Sequence, residues 1–232
     1  MSSKRKRKVS KKEEGPDRWV IAIKQTRSGN LIGKSAIVEI AAAFHRVGKR
    51  ETEAELYLFL GDQQEGKRWS ADHVGTFWNN KGLAIDGRTQ RELLAERTAM
   101  APVHSGKGAV EALVDFTRTC SLTAGPTARI SIVLESCGAD WAFLSELLVN
   151  HAPSLGDLDN LLGHRETCID LYSLCRGANP THEIVCAYQA ALAAQGTEDF
   201  PSWVPAMTHD PRVDARALAA QAAFLMAEKG VY

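Results

Sequence analysis

A histidine and an aspartate near the C-terminal end of the sequence have types and a spacing that could support chemistry. Four residues separate His209 from Asp214, and the chain then continues in alanine-rich sequence to Lys229. Pro211 suits a first helical turn and Gly230 suits a helix end, so a helix over residues 211–229 is predicted. Asp214 lies on an apolar face of this helix, where a carboxylate needs a cation, a hydrogen-bond donor or a metal to offset the cost of burial.

The simpler interpretation of this pair is structural. His209 would be an ordinary turn residue. The partners available to the Asp214 carboxylate would be backbone N–H groups, a neighbouring loop, Gln221, Arg212 or Arg216. Because buried acids mark functional sites only in a fraction of proteins, the spacing alone does not decide between the two interpretations.

A second aspartate follows a predicted strand. The segment from Ile132 to Leu144 contains a short apolar run, a turn of small residues at Gly138, and then Asp140 at the start of a predicted helix. Taken alone, Asp140 is best interpreted as an N-cap, because an aspartate before a helix accepts hydrogen bonds from the free N–H groups of the first turn. A metal ligand could occupy the same turn.

Both segments resemble motifs of one nuclease family. His209, four intervening residues, Asp214-Ala and an Ala/Leu helix resemble the third motif of the DEDDh-type 3′–5′ exonucleases, which have a ribonuclease H-like fold. The segment Ile132 to Leu144 is similar to their middle motif. The resemblance covers most of residues 17–228, and it implies His209 as general base and Asp140 and Asp214 as ligands of a two-metal Mg²⁺ or Mn²⁺ site.

The sequence departs from this family at the first acidic motif, which is an Asp-x-Glu pair on the first strand. Aligning residues 21–29 with that motif places Ala22 at the aspartate and Lys24 at the glutamate. Two Mg²⁺ ions about 3.5–4 Å apart need several carboxylate oxygens, which neither residue supplies. The Lys24 ammonium is predicted to pair with Asp140 and Asp214 where a metal would otherwise lie, so the expected cofactor is none, with Mg²⁺ or Mn²⁺ only in an active enzyme.

Three other acids are candidate substitutes for the missing ligands. They are Asp17 at the beginning of the first predicted strand, Glu39 in the second and Glu135 at the end of the fourth. Metal ligation tolerates positional errors of only about 0.5 Å, so each is more simply interpreted as a surface or strand-edge acid.

Aromatic residues occur in the polar stretch between the third strand and residue 102. Trp69, Phe77 and Trp78 could stack on bases of single-stranded nucleic acid, although aromatics in a long loop more often anchor it to the core. The segment Phe77 to Asn80 also resembles one found in viral and phage members of the exonuclease group.

The N-terminus is strongly basic although the whole chain has a formal charge of zero. Residues 1–14 contain seven of the 28 basic residues and two of the 28 acidic ones, which leaves the remainder at about −5. Residues 1–16 are predicted to be a disordered basic tail. Its function is open between a nuclear-import signal, a solvated tail and a nucleic-acid-binding arm formed by Lys4, Arg5, Lys6, Arg7 and Lys8.

The predicted elements form an α/β domain over residues 17–232. Strands are predicted at 19–23, 35–44, 55–60 and 129–134, with a weak one at 168–171. Helices are predicted at 89–96, 107–119, 141–150, 155–162, 182–194 and 211–229. This order predicts a ribonuclease H-like mixed sheet, with a three-strand antiparallel meander and parallel strands, flanked by helices.

Composition excludes some classes of protein. At 232 residues and 44% hydrophobic content, the chain can bury a sizeable core. It contains no apolar run long enough for a membrane span and no secretory signal, so an intracellular protein, nuclear or virion-associated, is expected. The five cysteines lack a Cys-x-x-Cys pair and are predicted to be reduced packing residues.

The preferred function is a catalytically impaired exonuclease-like protein that associates with nucleic acid, as a single strand or a 3′ end, or with a protein partner. One alternative is an active metal-dependent exonuclease with an atypical site. The other is a structural or assembly protein that retains only the scaffold, because a fold does not fix a function.

Overall fold

The computed structural model describes residues 17–61, 66–83, 87–135, 138–152, 169–170 and 208–228. The basic tail and the helices predicted at 155–162 and 182–194 lie outside these residues. No helix in the described part of the chain is long and apolar enough to cross a membrane.

A five-stranded mixed sheet forms the centre of the domain, in the order β3-β2-β1-β4-β5. β1 to β3 are an antiparallel meander, and β4 pairs in parallel with both β1 and β5. The strands are Arg18–Arg27 (β1), Ile37–Arg46 (β2), Thr52–Phe59 (β3), Arg129–Leu134 (β4) and Ile169–Asp170 (β5). The predicted meander, parallel β4 and short fifth strand are therefore confirmed.

The helices lie between the strands and after the last of them. Their bounds are Ala71–His73 (α1), Gln90–Thr98 (α2), Gly106–Ala124 (α3), Ala139–His151 (α4) and Pro211–Glu228 (α5), with a π-helical turn at Val74–Trp78 and a 3₁₀ turn at Lys81–Leu83. α2 begins with a capping box in which the Thr89 hydroxyl accepts from the Glu92 backbone N–H and the Glu92 carboxylate accepts from the Thr89 backbone N–H. Local sequence therefore sets the start of α2.

The two faces of the sheet have different packing. Alternate residues of β1, including Ile21 and Ile23, contact a core of large side chains from α3 and α4. The opposite face carries small residues such as Ala22 and Ala43, and packs against the alanine-rich helix α5. Successive side chains of a strand point to opposite faces. Small residues on both α5 and the strands allow the helix to lie close to the sheet, which brings its first turn to the site described below.

β1 is longer than predicted, because the prediction ended at the first polar residue. Lys24, Gln25 and Thr26 lie within the strand and pair with residues 39–41 of β2. Two of their polar groups donate to other elements: the Gln25 side-chain NH₂ donates to the Asp140 backbone carbonyl at 2.8 Å, and the Thr26 hydroxyl donates to Glu39 at 2.8 Å. A polar residue can remain in a buried strand when neighbouring elements supply its hydrogen bonds.

Cys120 is a buried free thiol on the core-facing side of α3, as the interpretation of the cysteines as reduced packing residues requires. Burial raises its pKa to about 12. Cys137, Cys168, Cys175 and Cys186 lie outside the described residues.

Candidate active-site cleft

Ala22 and Lys24 lie on the face of β1 that packs against α5. Ala22 is fully buried and pairs with Val133 of β4 and with Ala43 of β2. A methyl group here can only pack. Lys24, two residues later on the same face, carries a charge towards the end of the strand.

The Lys24 ammonium makes an ion pair with Glu135, the residue after β4. The negative charges of Asp214 and Asp140 also act on Lys24, but burial dominates and lowers its pKa. Lys24 therefore lies within electrostatic range of both aspartates. Its ion-pair partner is Glu135, for which the sequence offered two interpretations, a substitute metal ligand and a strand-edge acid.

Asp214 is completely buried in the first turn of α5. One carboxylate oxygen accepts from the backbone N–H groups of Thr208 at 2.6 Å and His209 at 3.1 Å. The other oxygen has no hydrogen-bond partner among the described residues. Burial raises the pKa of Asp214, although the Lys24 charge and the two N–H donors act to lower it.

Among the partners that the sequence left open for Asp214, the backbone donors are the ones found. The arginines are engaged elsewhere: Arg212 forms an ion pair with Asp210 at 2.8 Å, and Arg216 lies 3.5 Å from Glu55. The apolar face predicted for α5 is confirmed, because Ala217, Leu218 and Leu225 are all buried beside Asp214.

His209 has a left-handed backbone, with φ of 64°. Few residues other than glycine adopt this conformation, and here the hydrogen bond from the His209 N–H to Asp214 holds it. Burial and the nearby Lys24 charge both lower the pKa of His209, which favours a neutral imidazole. A neutral ring nitrogen can accept a proton, as a general base must.

Asp140 is the second residue of α4 and not its N-cap, which is Gly138. The N-cap interpretation was therefore wrong. The Asp140 carboxylate lies 3.4 Å from Nη2 of Arg27, while the Asp140 carbonyl accepts from Gln25. The carboxylate therefore lies beside a charged group at the end of β1.

Arg27 is the site residue that the sequence interpretation missed. Its guanidinium lies 4.8 Å from the centre of the Phe143 ring, as well as beside Asp140. The β1–β2 register shifts between Thr26 and Arg27, so Arg27 is at an irregularity near the strand end. Extending the alternation of β1 past the apolar run would have identified Arg27 as the residue facing α4.

The remaining substitute acids are engaged elsewhere. Glu39 is fully buried and accepts hydrogen bonds from Tyr57 at 2.6 Å, from Thr26 at 2.8 Å and from two nitrogens of Arg97 at 2.9 and 3.0 Å. Glu39 is thus the centre of a saturated network and not a strand-edge acid. Asp17 pairs with Arg46 at the surface.

The predicted aromatic residues have different environments. Trp78 is fully buried, and its indole N–H donates to the Arg27 carbonyl at 2.9 Å. Trp69 packs against it edge to face, with Arg91 over its own ring. The anchoring interpretation therefore holds for both tryptophans. Phe77 is only partly buried and lies beside His209.

The side chains in the cleft do not fit a two-metal centre. Lys24 contacts Glu135, Arg27 contacts Asp140, and Asp214 has one oxygen engaged by two backbone N–H groups. Across the described ranges, no group of three or more His, Cys, Asp or Glu side chains is arranged to hold a metal ion. The positions that would supply the remaining carboxylates carry a methyl group and an ammonium.

Comparison with known proteins provides a structural match and no sequence match. No family model matches the chain, and neither does any curated protein. Among solved structures, the fold is similar to a moderately thermophilic exonuclease I from Methylocaldum szegediense, with a TM-score of 0.51 and 10% sequence identity. The match covers 90% of this chain but 40% of that one. This similarity establishes the fold, a ribonuclease H-like mixed sheet flanked by helices, as predicted.

Proposed function

We propose that this protein is a catalytically impaired exonuclease-like protein that binds the ends of single-stranded nucleic acid without a metal ion. The observation that carries the proposal is the place of Lys24. Its ammonium contacts Glu135 and is attracted by Asp214 and Asp140. A fixed cation among these acids supports neutralisation by the protein itself and opposes divalent-metal binding.

Charge at the cleft also supports an interaction with phosphate. Lys24 and Arg27 are cations with 16% and 18% of their side chains exposed, so both can reach a ligand. A backbone phosphate of a strand end would pair with the exposed parts of Lys24 and Arg27, and guanidinium and ammonium groups are the usual protein donors to phosphate.

A nuclease assay tests the impaired state. A 5′-labelled single-stranded DNA and the equivalent RNA are incubated with the full chain in Mg²⁺, in Mn²⁺ and in EDTA, and the products are resolved by length. We expect no metal-dependent shortening from the 3′ end. Metal-dependent digestion by the unmodified chain that Asp214→Asn abolishes would contradict the proposal and favour an active exonuclease with an atypical site.

A binding assay in EDTA tests the interaction itself. Fluorescence anisotropy with linear oligonucleotides should show binding that persists without metal. A circular oligonucleotide of the same sequence and length should compete less well because it has no end. Lys24→Gln and Arg27→Gln should each weaken binding several-fold, while Arg118→Gln, a change on the exposed surface of α3, should not.

Two results would reject end binding. Equal competition by circular and linear strands would show that ends are not recognised. No detectable binding of any oligonucleotide would favour the structural or protein-interaction alternative.

A further inference from the structure

Three partly exposed rings lie together next to the two cleft cations. The His73 ring stacks on Phe77 with centroids 5.2 Å apart and planes 8° apart. The His209 ring meets Phe77 nearly at a right angle, with centroids 5.8 Å apart and an interplanar angle of 88°. We propose that this ring cluster, His73, Phe77 and His209, stacks on the terminal base of a single-stranded nucleic acid. The inference rests on the proposed function and extends it from phosphate to base.

The position of the ring cluster relative to the cations is the first argument. The charge of Arg27 acts on the His73 ring, which also hydrogen bonds to the Arg27 backbone, and the charge of Lys24 acts on His209. A nucleotide has its base a few ångströms from its phosphate. Rings beside two cations therefore match the two parts of a nucleotide, and base–aromatic stacking combined with a cationic groove is the usual mode for single strands.

Exposure distinguishes the ring cluster from the core aromatics. Trp19 and Phe44 also stack, with centroids 4.6 Å apart, but they are 6% and 0% exposed. His73, Phe77 and His209 all remain partly exposed. Rings that served only to fill the core would be expected to be covered as Trp19 and Phe44 are.

The backbone around the ring cluster is unusual on both sides. Phe77 belongs to the π-helical turn Val74–Trp78, which is fixed by the hydrogen bond from Trp78 to Arg27. His209 keeps its left-handed conformation through Asp214. π-turns and strained non-glycine residues occur preferentially at functional sites. Here two such features, far apart in sequence, bring rings into contact at one place.

The test compares two oligonucleotides that differ in one base. One has a normal 3′-terminal nucleotide, and the other has an abasic 3′-terminal residue with the same phosphates. Wild-type protein in EDTA should bind the normal strand more tightly, on the order of 5- to 100-fold, the range that stacking of one base supplies. Phe77→Leu should bring the ratio of the two affinities close to one, and Phe77→Trp should keep the ratio of the wild type.

Controls separate loss of stacking from loss of fold. Thermal melting identifies any variant that fails to fold, and Phe77→Trp keeps an aromatic ring if Phe77→Leu is unstable. His73→Ala provides an independent change in the same cluster and should also lower the ratio. Phe116→Leu changes a residue of α3 that packs against the core, and it should leave the ratio of the two affinities unchanged.

The outcomes also distinguish this inference from the proposed function. Equal affinity for both strands in the wild type, with binding still weakened by Lys24→Gln, would overturn base stacking and leave end binding intact. A ratio that survives Phe77→Leu and His73→Ala would place the base elsewhere and overturn the assignment to these rings. No binding of either strand would reject both.

Discussion

Single residues decide the chemistry of this cleft, and Asp214 shows the energetic conflict most clearly. The carboxylate is fully buried, and one oxygen has no hydrogen-bond partner in the part of the chain that the structure describes. Such a group costs free energy in the folded state unless something compensates its charge. Lys24 provides part of that compensation, yet the pKa of Asp214 remains raised because burial outweighs the attraction.

The effect of Asp214→Asn on the stability of the protein should therefore depend on pH. Because the folded-state pKa of Asp214 is raised, the acid contributes stability that is present below its unfolded pKa of 3.8 and is lost as pH rises through the folded value. The asparagine variant does not lose this stability as pH rises, because its side chain does not ionise. It keeps an oxygen that accepts hydrogen bonds from the backbone N–H groups of Thr208 and His209. Its melting temperature relative to wild type should rise as pH increases from about 4 to 8.

Asp115→Asn is the matched control, because Asp115 is an exposed acid on α3. Its difference from wild type should vary little with pH. If the melting temperature of Asp214→Asn relative to wild type stays constant or falls over the same pH range, the buried carboxylate is not destabilised by its surroundings.

Lys24 and Ala22 together provide a test of the proposed loss of metal binding. Ala22→Asp with Lys24→Glu supplies two carboxylates beside Asp140 and Asp214 and removes the cation, so Mn²⁺ affinity should increase markedly in calorimetry. Lys24→Gln removes the cation without adding a ligand and should give a smaller increase. If the folded double variant binds Mn²⁺ no better than wild type, the scaffold does not hold these positions in ligating geometry.

The sequence could predict part of this site but not which charged side chains pair with each other. The resemblance of local segments to family motifs singled out His209, Asp140, Asp214 and the substituted positions, because such motifs are matched by order along the chain. The contact of Lys24 with Glu135 and of Arg27 with Asp140 depends on the β1–β4 register and on the start of α4. No local pattern encodes those distances.

At the scale of elements, α2 is attached to the sheet by a buried ion pair. Arg97, at the end of α2, is bidentate to Glu39 of β2, and the two side chains are 5% and 0% exposed. The sequence predicted a helix at 89–96. Its attachment was missed because Arg97 and Glu39 are 58 residues apart.

Arg97→Met should be strongly destabilising, by about 3–5 kcal/mol in urea unfolding, because it leaves Glu39 charged and buried. Adding Glu39→Gln removes that charge, so the double variant should recover much of the loss. Arg88→Met, at the exposed Arg88–Glu96 pair, is the control and should cost less than about 1 kcal/mol. An Arg97→Met variant as stable as the Arg88→Met control would contradict the importance of this attachment.

Element boundaries show a second limit of sequence interpretation. β4 was placed correctly at 129–134, because its apolar run is continuous and ends in a turn. β1 was ended too early, because Gln25 and Thr26 have partners on other elements. Boundaries set by apolar residues can be predicted, whereas boundaries set by distant hydrogen-bond partners cannot.

At the scale of the whole molecule, the order of elements was sufficient to predict the architecture. Three strands in succession predicted the meander, and a helix before β4 predicted that β4 is a parallel strand, which pairs with β1.

The charge distribution is a separate property of the chain. Residues 1–14 hold seven basic residues, while the remainder has a net charge of about −5. An acidic body provides little long-range attraction for nucleic acid, so the N-terminal segment should supply most of it.

Deletion of residues 1–16 should therefore affect binding and not folding. A short block of like charges cannot bury apolar area, so the melting temperature should change by no more than a degree or two. Each phosphate contact by a lysine or arginine releases counterions, with a slope of about −0.7 per contact for single strands. If all seven basic residues contact phosphates, the slope of log K against log salt should become less negative by up to about 5 on deletion.

The deletion also separates the contribution of the tail from that of the cleft. The truncated protein should bind more weakly to all strands, yet it should keep its preference for linear over circular oligonucleotides, because Lys24 and Arg27 remain.

A variant in which all five residues 4–8 are changed to glutamate reverses the charge of the tail without shortening it. This variant should show the same loss of affinity as the deletion. An unchanged salt slope after deletion would show that the tail does not contact phosphate. Loss of end preference together with affinity would show that the tail, and not the cleft, recognises the strand end.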